Sequence, residues 1–257
     1  MIECIYEIND TEGARFMDKI AELQRMIDES TYIVFFGGAG VSTESGIKDF
    51  RSVDGLYSMK YKFPPEEILS RSFFNRLPEE FYIFYKDKLN CLDKEPNICH
   101  KYLAELEKTG KLKGVITQNV DGLHTKAGSV NVQELHGSMY RNHCVKCGRF
   151  YGPEAVFGSP DIIPRCEKCG GIIKPDVVLY EESLDYDVIT ESIDLISKAD
   201  MLIIAGTSLT VYPASGFINY FRGKHLVIIN RDLTPFDSKA ELTISDSIGS
   251  VFSQLHT

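Results

Sequence analysis

Tyr32-Ile-Val-Phe-Phe36 runs directly into Gly37-Gly-Ala-Gly40 and on into Val41-Ser-Thr43. The apolar run is too short and too rich in β-branched and aromatic residues for a helix. It reads as a strand buried on both faces and ended by a glycine turn. Upstream, Phe16, Ile20, Leu23, Met26 and Ile27 fall at helical spacing between Arg15 and Ser30, so an amphipathic helix feeds the strand. Downstream, similar apolar runs recur at Gly114-Val-Ile-Thr117, Met201-Leu-Ile-Ile-Ala205 and His225-Leu-Val-Ile-Ile229. Each follows a helical pattern, over 98–108, 188–199 and 212–222. Helix then strand, repeated with polar breaks, predicts an α/β fold with a parallel sheet covered by helices on both faces.

Two stretches interrupt that rhythm. Residues 52–90 carry Pro64-Pro65 and aromatic-rich helical segments without a strand between them. Residues 141–171 carry Cys144-Val-Lys-Cys147 and Cys166-Glu-Lys-Cys169, with eighteen residues between the pairs. Both read as insertions that together form a smaller lobe. The tail from Ser245 to His256 has weak helical spacing and is expected to close the sheet.

The chain has 257 residues, 43% hydrophobic and 25% charged, which suits one globular domain and excludes a disordered or collagen-like chain. No apolar run approaches the roughly 18 residues of a membrane span, and Met1-Ile2-Glu3-Cys4 is no charged-then-apolar leader, so a cytoplasmic location is expected. A formal charge of −9 disfavours direct nucleic-acid binding, which draws on surplus Lys and Arg. In that setting paired C-x-x-C motifs read as zinc ligands rather than disulfides, and four thiolates leave no open position, so the metal is structural. Gly38-Ala-Gly40 keeps two glycines of a dinucleotide turn, but Thr43 stands at the third. Alone it is a weak signal for a pyrophosphate site. No P-loop lysine follows. Gln118, Asn119 and Asp121 follow a strand at its C-terminal edge, where open α/β sheets bind ligands.

Gly38-Ala-Gly-Val-Ser-Thr-Glu-Ser-Gly-Ile-Lys-Asp-Phe-Arg51, Thr117-Gln-Asn-Val-Asp-Gly-Leu-His124 and Glu134-Leu-His136-Gly137 closely resemble the signatures of the sirtuins, the NAD-dependent protein-lysine deacylases. The paired cysteines, Lys174-Pro-Asp-Val-Val-Leu179, Gly206-Thr-Ser-Leu209 with Val211 and Pro213, and Ile229-Asn230 follow in family order. The resemblance spans about residues 16 to 255.

It implies a single catalytic domain over 1–257. A Rossmann-like lobe would cover about 11–52, 91–140 and 172–257. A small lobe would join a helical insert (53–90) to a zinc module (141–171). NAD and an acyl-lysine peptide would meet between the lobes. By resemblance His136 is the base that takes a proton from a ribose hydroxyl after nicotinamide leaves; a neutral imidazole suits that task. Asn119 and Gln118 would attend the nicotinamide ribose, and Val120 and Asp121 the carboxamide. Gly38, Ala39, Gly40, Ser42 and Thr43 would face the diphosphate with Arg51, while Phe50 shields the reacting sugar. Gly206, Thr207, Ser208, Asn230, Arg231, Ser247 and Ile248 would contact ribose and adenine. Val177, Val178 and Leu179 would pair with the substrate backbone, and Cys144, Cys147, Cys166 and Cys169 would hold zinc. His124 would support the site without transferring protons.

The expected reaction moves an acetyl group from lysine to ADP-ribose. It yields nicotinamide, free lysine and 2′-O-acetyl-ADP-ribose. Mono-ADP-ribosyl transfer to protein and removal of longer acyl groups are the alternatives. The chain departs from the family at Lys48, where proline is usual, and at Tyr180-Glu181-Glu182, where Phe-Gly-Glu is common. Tyr82-Ile-Phe-Tyr85 lacks the arginine of the succinyl-preferring Tyr-x-x-Arg pattern, so neutral acyl groups are expected.

Overall fold

The computed structural model describes residues 3–49 and 61–257, with side chains from Gly13 onward. Six parallel strands form the main sheet: β1 (Ile33–Gly37), β2 (Leu112–Thr117), β3 (Val132–Glu134), β7 (Met201–Ala205), β8 (His225–Ile229) and β9 (Leu242–Ile244). Their order is β3-β2-β1-β7-β8-β9. The chain builds outward from β1 in one direction and then returns to build in the other. A crevice therefore opens at the C-terminal ends of β1 and β7, where the direction reverses.

Successive side chains of a strand face opposite ways, and both faces of this sheet are covered. Ile33, Phe35, Val115, Ile203 and Val227 pack with α1 (Glu3–Glu29), α5 (Ile98–Lys108) and α9 (Ile248–Phe252). Their neighbours Val34, Phe36, Ile116, Leu202, Ile204 and Ile228 pack with α8 (Tyr186–Lys198) and a 3-10 segment over Ala214–Tyr220. That double burial explains why these strands are uniformly apolar.

The smaller lobe has its own core. Helices α2 (Pro65–Ile68), α3 (Arg71–Arg76) and α4 (Pro78–Lys88) pack Phe73, Phe81, Tyr82 and Tyr85 against Val156, Ile173, Cys144 and Cys166. These last four lie in or beside a three-stranded antiparallel sheet, ordered β5-β4-β6: β4 (Gly137–Cys144), β5 (Phe150–Tyr151) and β6 (Ile173–Val177). The two remaining short helices are α6 (Leu123–Ala127), after β2, and α7 (Glu154–Phe157), beside the knuckle.

Three details differ from the sequence expectation. Helix α1 begins at Glu3 rather than near Arg15, since no proline interrupts that stretch. The segment expected as a helix over 212–222 forms only a 3-10 helix; Pro213 precedes it and Gly216 with β-branched and aromatic neighbours weakens an α-helix there. Strands β3 and β9 have three residues each, too few for alternation to mark them.

Candidate active site

The site begins with the meeting of two turns. The turn after β1 lies directly against the turn after β7, with Gly40 N donating to Gly206 O at 2.8 Å and Gly38 N to Ala205 O at 3.2 Å. A Cβ on Gly40 would stand 2.7 Å from Gly206 Cα, and one on Gly38 2.7 Å from Thr207 Cβ. Gly206 itself has φ +60°, and a side chain there would run into Val41 N. The glycines are therefore required by backbone-to-backbone approach. The amides of Gly38, Gly40 and Val41 are spent on protein carbonyls. The pyrophosphate expectation thus falls on the remaining groups of the turn.

The loop after β2 closes onto this turn. Asn119 Nδ2 donates to Gly38 O (3.1 Å) and to Ser42 Oγ (3.0 Å), and Ser42 Oγ in turn donates to Asp121 Oδ2 at 2.6 Å. Asp121 Oδ1 accepts from Leu123 N. Burial raises the Asp121 carboxyl above its usual range, with Ser42 and the Leu123 amide working against that shift. Gln118 Nε2 donates to Thr207 Oγ1 at 3.0 Å, joining the loop to the β7 turn.

His136 stands where the chain passes from β3 to β4. Its Nδ1 lies 2.9 Å from the Gln118 carbonyl. A carbonyl can only accept, so Nδ1 carries the hydrogen and Nε2 presents the lone pair. Burial lowers the imidazole pKa, opposed by that same hydrogen bond. A neutral ring with one free nitrogen is suited to accept a proton. His124 is different: it is buried against His100 (ring centroids 4.6 Å apart) and Phe35, and burial depresses its pKa far below the usual value.

These groups line one cleft of about 520 Å³. Gly38, Ala39, Gly40, Ser42, Thr43, Gln118, Asn119, Val120, Asp121 and His136 all face it, as do Val177, Val178, Leu179, Gly206, Thr207, Ser208, Asn230, Arg231 and Ile248. Phe50 and Arg51 lie outside the described residues. Ser247 is the exception among the described ones: it does not line the cleft, because its hydroxyl caps α9 by accepting from Ser250 N at 3.2 Å. Asp246 lines it instead. A further wall is formed by Leu69 and Leu89 of the small lobe and by Cys91 beside it, with Lys48 and Lys88 also facing in. The sequence motifs gave no sign of that wall. Tyr82 and Tyr85 do not line the cleft; the Tyr82 hydroxyl is bound to Ile173 O, and Tyr85 is fully buried.

The stretch 177–179 is less open than its apolar spelling indicates. Val177 O accepts from Lys174 Nζ (3.0 Å), Val178 N donates to His136 O (2.9 Å), and Leu179 N donates to Glu182 Oε2 (2.9 Å). Leu179 O accepts from Glu182 N. Among the described residues the Val178 carbonyl remains to receive another strand. Next to it, Glu181 adopts φ +75°, a conformation that favours glycine, and its carboxylate accepts from Ser72 N (2.8 Å) at the start of α3.

Away from the cleft, the ligand atoms of Cys144, Cys147, Cys166 and Cys169 lie within 4.8 Å of one another. Cys144 Sγ is 3.4 Å from Cys169 Sγ, and Cys147 Sγ is 3.7 Å from Cys166 Sγ. A tetrahedron with metal–sulfur bonds of about 2.3 Å has edges of about 3.8 Å, so the four thiols fit a zinc ion. Tyr151 Oη donates to Cys166 Sγ and Lys146 N approaches Cys144 Sγ, as outer donors to thiolates do.

The model of the Sir2 family matches residues 38–213. The NAD-dependent protein deacetylase of Clostridium perfringens is 59% identical over 241 residues, covering 93% of this chain and 98% of that protein. The NAD-dependent protein deacetylase of Clostridium acetobutylicum is 55% identical over 237 residues, 91% of this chain and 97% of that one. A solved structure of Sir2 with a p53 peptide and NAD+ superposes with a TM-score of 0.82 at 39% identity, covering 91% of this chain and 95% of the other. A structure of Sir2 bound to an acetylated peptide gives 0.83 at 37% identity, over 91% and 96%.

Proposed function

The chain belongs to the Sir2 family, and on that premise we propose that His136 is the general base of NAD-dependent protein-lysine deacetylation. The activity is that of an NAD-dependent protein deacetylase. With uptake of water, the acetyl group passes from lysine to ADP-ribose, releasing nicotinamide, free lysine and 2′-O-acetyl-ADP-ribose.

The His136–Gln118 contact carries the assignment. It fixes the tautomer that leaves Nε2 free, at the point where the cleft is lined by both lobes. Once nicotinamide has left, Nε2 takes the proton of a ribose hydroxyl, and that oxygen attacks the carbon of the bound acyl group. The Asn119–Ser42–Asp121 chain holds the nicotinamide side of the cleft, with Asp121 and Val120 facing the carboxamide. The turns at Gly38–Thr43 and Gly206–Ser208, with Asn230, Arg231 and Ile248, take the diphosphate and adenosine. The Val178 carbonyl receives an amide of the acetylated peptide. Zinc, held by the four cysteines, supplies no chemistry at the cleft; the thiolates keep the knuckle of the small lobe in shape.

The division into a Rossmann-like lobe (about 11–52, 91–140, 172–257) and a small lobe (about 53–90, 141–171) belongs to the same proposal; separate cores support it, except that Ile173, Val177 and Leu179 pack with the small-lobe core. The described helices include none long and apolar enough to cross a membrane. A zinc site of reduced thiols fits a cytoplasmic setting, and the formal charge of −9 weighs against nucleic-acid partners. Incubation with labelled NAD and an acetyl-lysine peptide tests the assignment. Label is expected in a small acetylated sugar nucleotide; label on protein instead would turn the conclusion toward ADP-ribosyl transfer.

A further inference from the structure

His136 occupies a passage of two residues between two sheets. Glu134 ends β3 of the parallel sheet, Gly137 begins β4 of the antiparallel one, and only Leu135 and His136 lie between. The imidazole is anchored to the parallel sheet's side, through Gln118 O. The backbone of the same residue is anchored to the antiparallel sheet's side, where His136 O accepts from Val178 N, just after β6, at 2.9 Å. Any relative slip of the two sheets therefore shears this residue between its anchors.

One side chain spans the passage. Arg141 Nη1 lies 2.6 Å from Glu134 Oε2, and Arg141 Nε lies 2.9 Å from Asp176 Oδ2. Glu134 is the last residue of β3 and Asp176 belongs to β6, so a single guanidinium joins the two sheets across His136. Strand β4 is built to allow this. Its pairing with β6 jumps from Ser138↔Asp176 to Asn142↔Pro175, leaving 139–141 as a bulge. Bulges re-aim side chains next to functional sites. Here the bulge turns Arg141 back toward the crossing point. Glu134 is only 13% exposed at its side chain and has no other cation partner among the described residues. At the crossing itself, a side chain on Gly137 would collide with Asp176 O, so β4 and β6 of the antiparallel sheet approach closely right beside His136.

We propose that Arg141 is a positioning residue for the reaction, holding the parallel and antiparallel sheets in the one relation that keeps His136 aimed into the cleft. The proposal rests on His136 being the base, and its test separates the two claims. Nicotinamide leaves before the base acts, so exchange of free nicotinamide into NAD reports the first step and net deacetylation reports both. R141M is expected to lower kcat for deacetylation about tenfold, with KM for NAD changed by less than about twofold and exchange retained. R141K reaches only one carboxylate and should restore part of the loss. E134Q/R141M removes the buried charge that R141M strands, so Tm should return toward the parent value while kcat stays low. If R141M does not fold, the double variant carries the test alone.

Wild-type kcat in R141M overturns the proposal. So does kcat recovering together with Tm in E134Q/R141M, or exchange and deacetylation falling in proportion. H136A is measured alongside. Full deacetylation by H136A removes the base assignment itself; loss in H136A with none in the Arg141 variants removes only the clamp.

Discussion

The Nδ1 of His136 lies 2.9 Å from the carbonyl oxygen of Gln118, which in the neutral ring leaves the lone pair on Nε2. Replacing His136 with Ala should lower deacetylation by about 10² to 10⁴-fold, read as the rate of 2′-O-acetyl-ADP-ribose formation. The base must be neutral to act, and burial holds its pKa below the ordinary imidazole value. The acidic limb of the kcat/KM profile should thus lie below the ordinary histidine pKa. An acidic limb at or above that value contradicts the assignment.

The contact of Gly40 with Gly206 leaves no space for a methyl group, since the neighbouring atoms are backbone. Gly40→Ala should cost about 1–3 kcal/mol of stability and weaken NAD binding as the two turns part. Thermal unfolding and NAD titration measure both. Unchanged NAD affinity in a folded G40A protein would show that the turns do not hold the cofactor.

Four thiols within 4.8 Å of one another supply part of the small-lobe core, because Cys144 and Cys166 are buried in it. Chelation, or Cys166→Ser, should release about one zinc per chain and abolish deacetylation, while circular dichroism of the parallel sheet changes little. Metal analysis with an activity assay decides. Full activity after metal loss rules out the structural role.

Acid should unfold this protein early. Burial depresses the His100 pKa to about 4 and holds that of His124 well below its normal value. Both therefore stay neutral in the folded chain and protonate more readily when it unfolds. Their stabilisation is present above the unfolded histidine pKa and is lost as pH falls below it. At pH 5 His100 alone should withdraw about 2 kcal/mol. Denaturant midpoints from pH 7.5 down to 5 measure the slope, and a flat profile argues against buried neutral rings.

No arginine lies on α4 where an anionic acyl group could be paired; Tyr82 is bound to Ile173 O and Tyr85 is sealed between Phe81 and Phe157. Lys88 lines the cleft but is held by Asp87 at 2.7 Å. Acetyl-lysine peptide should turn over faster than succinyl-lysine peptide in side-by-side assays. The reverse order would assign Lys88 to the acyl end.

Much of this is legible in the amino-acid sequence. Strands β7 and β8 and helix α5 begin and end where their apolar spacing says, because each is long enough for its period to show and is bounded by polar residues. The three-residue strands β3 and β9 are not, since they exist only by pairing with β2 and β8. Within the site, motif residues close in sequence came together as expected. The wall of Leu69, Leu89 and Cys91 did not announce itself, because ordinary apolar residues from a separate segment carry no local signature. Ser247 has a structural task that its sequence also announces. Ser247-Ile-Gly-Ser250 opens a helix, and a serine just before an apolar run is a capping signal.

The first residue of β4 pairs with the last residue of β6, Gly137 with Val177, so the excursion that carries the knuckle is zipped shut at its base. Such an excursion behaves as a cassette: its far end can be lengthened, shortened or exchanged without altering where it enters and leaves. Evolution can thus retune what docks on the outer end of this lobe while the imidazole beside the zipper, and the chemistry it serves, stay where they are.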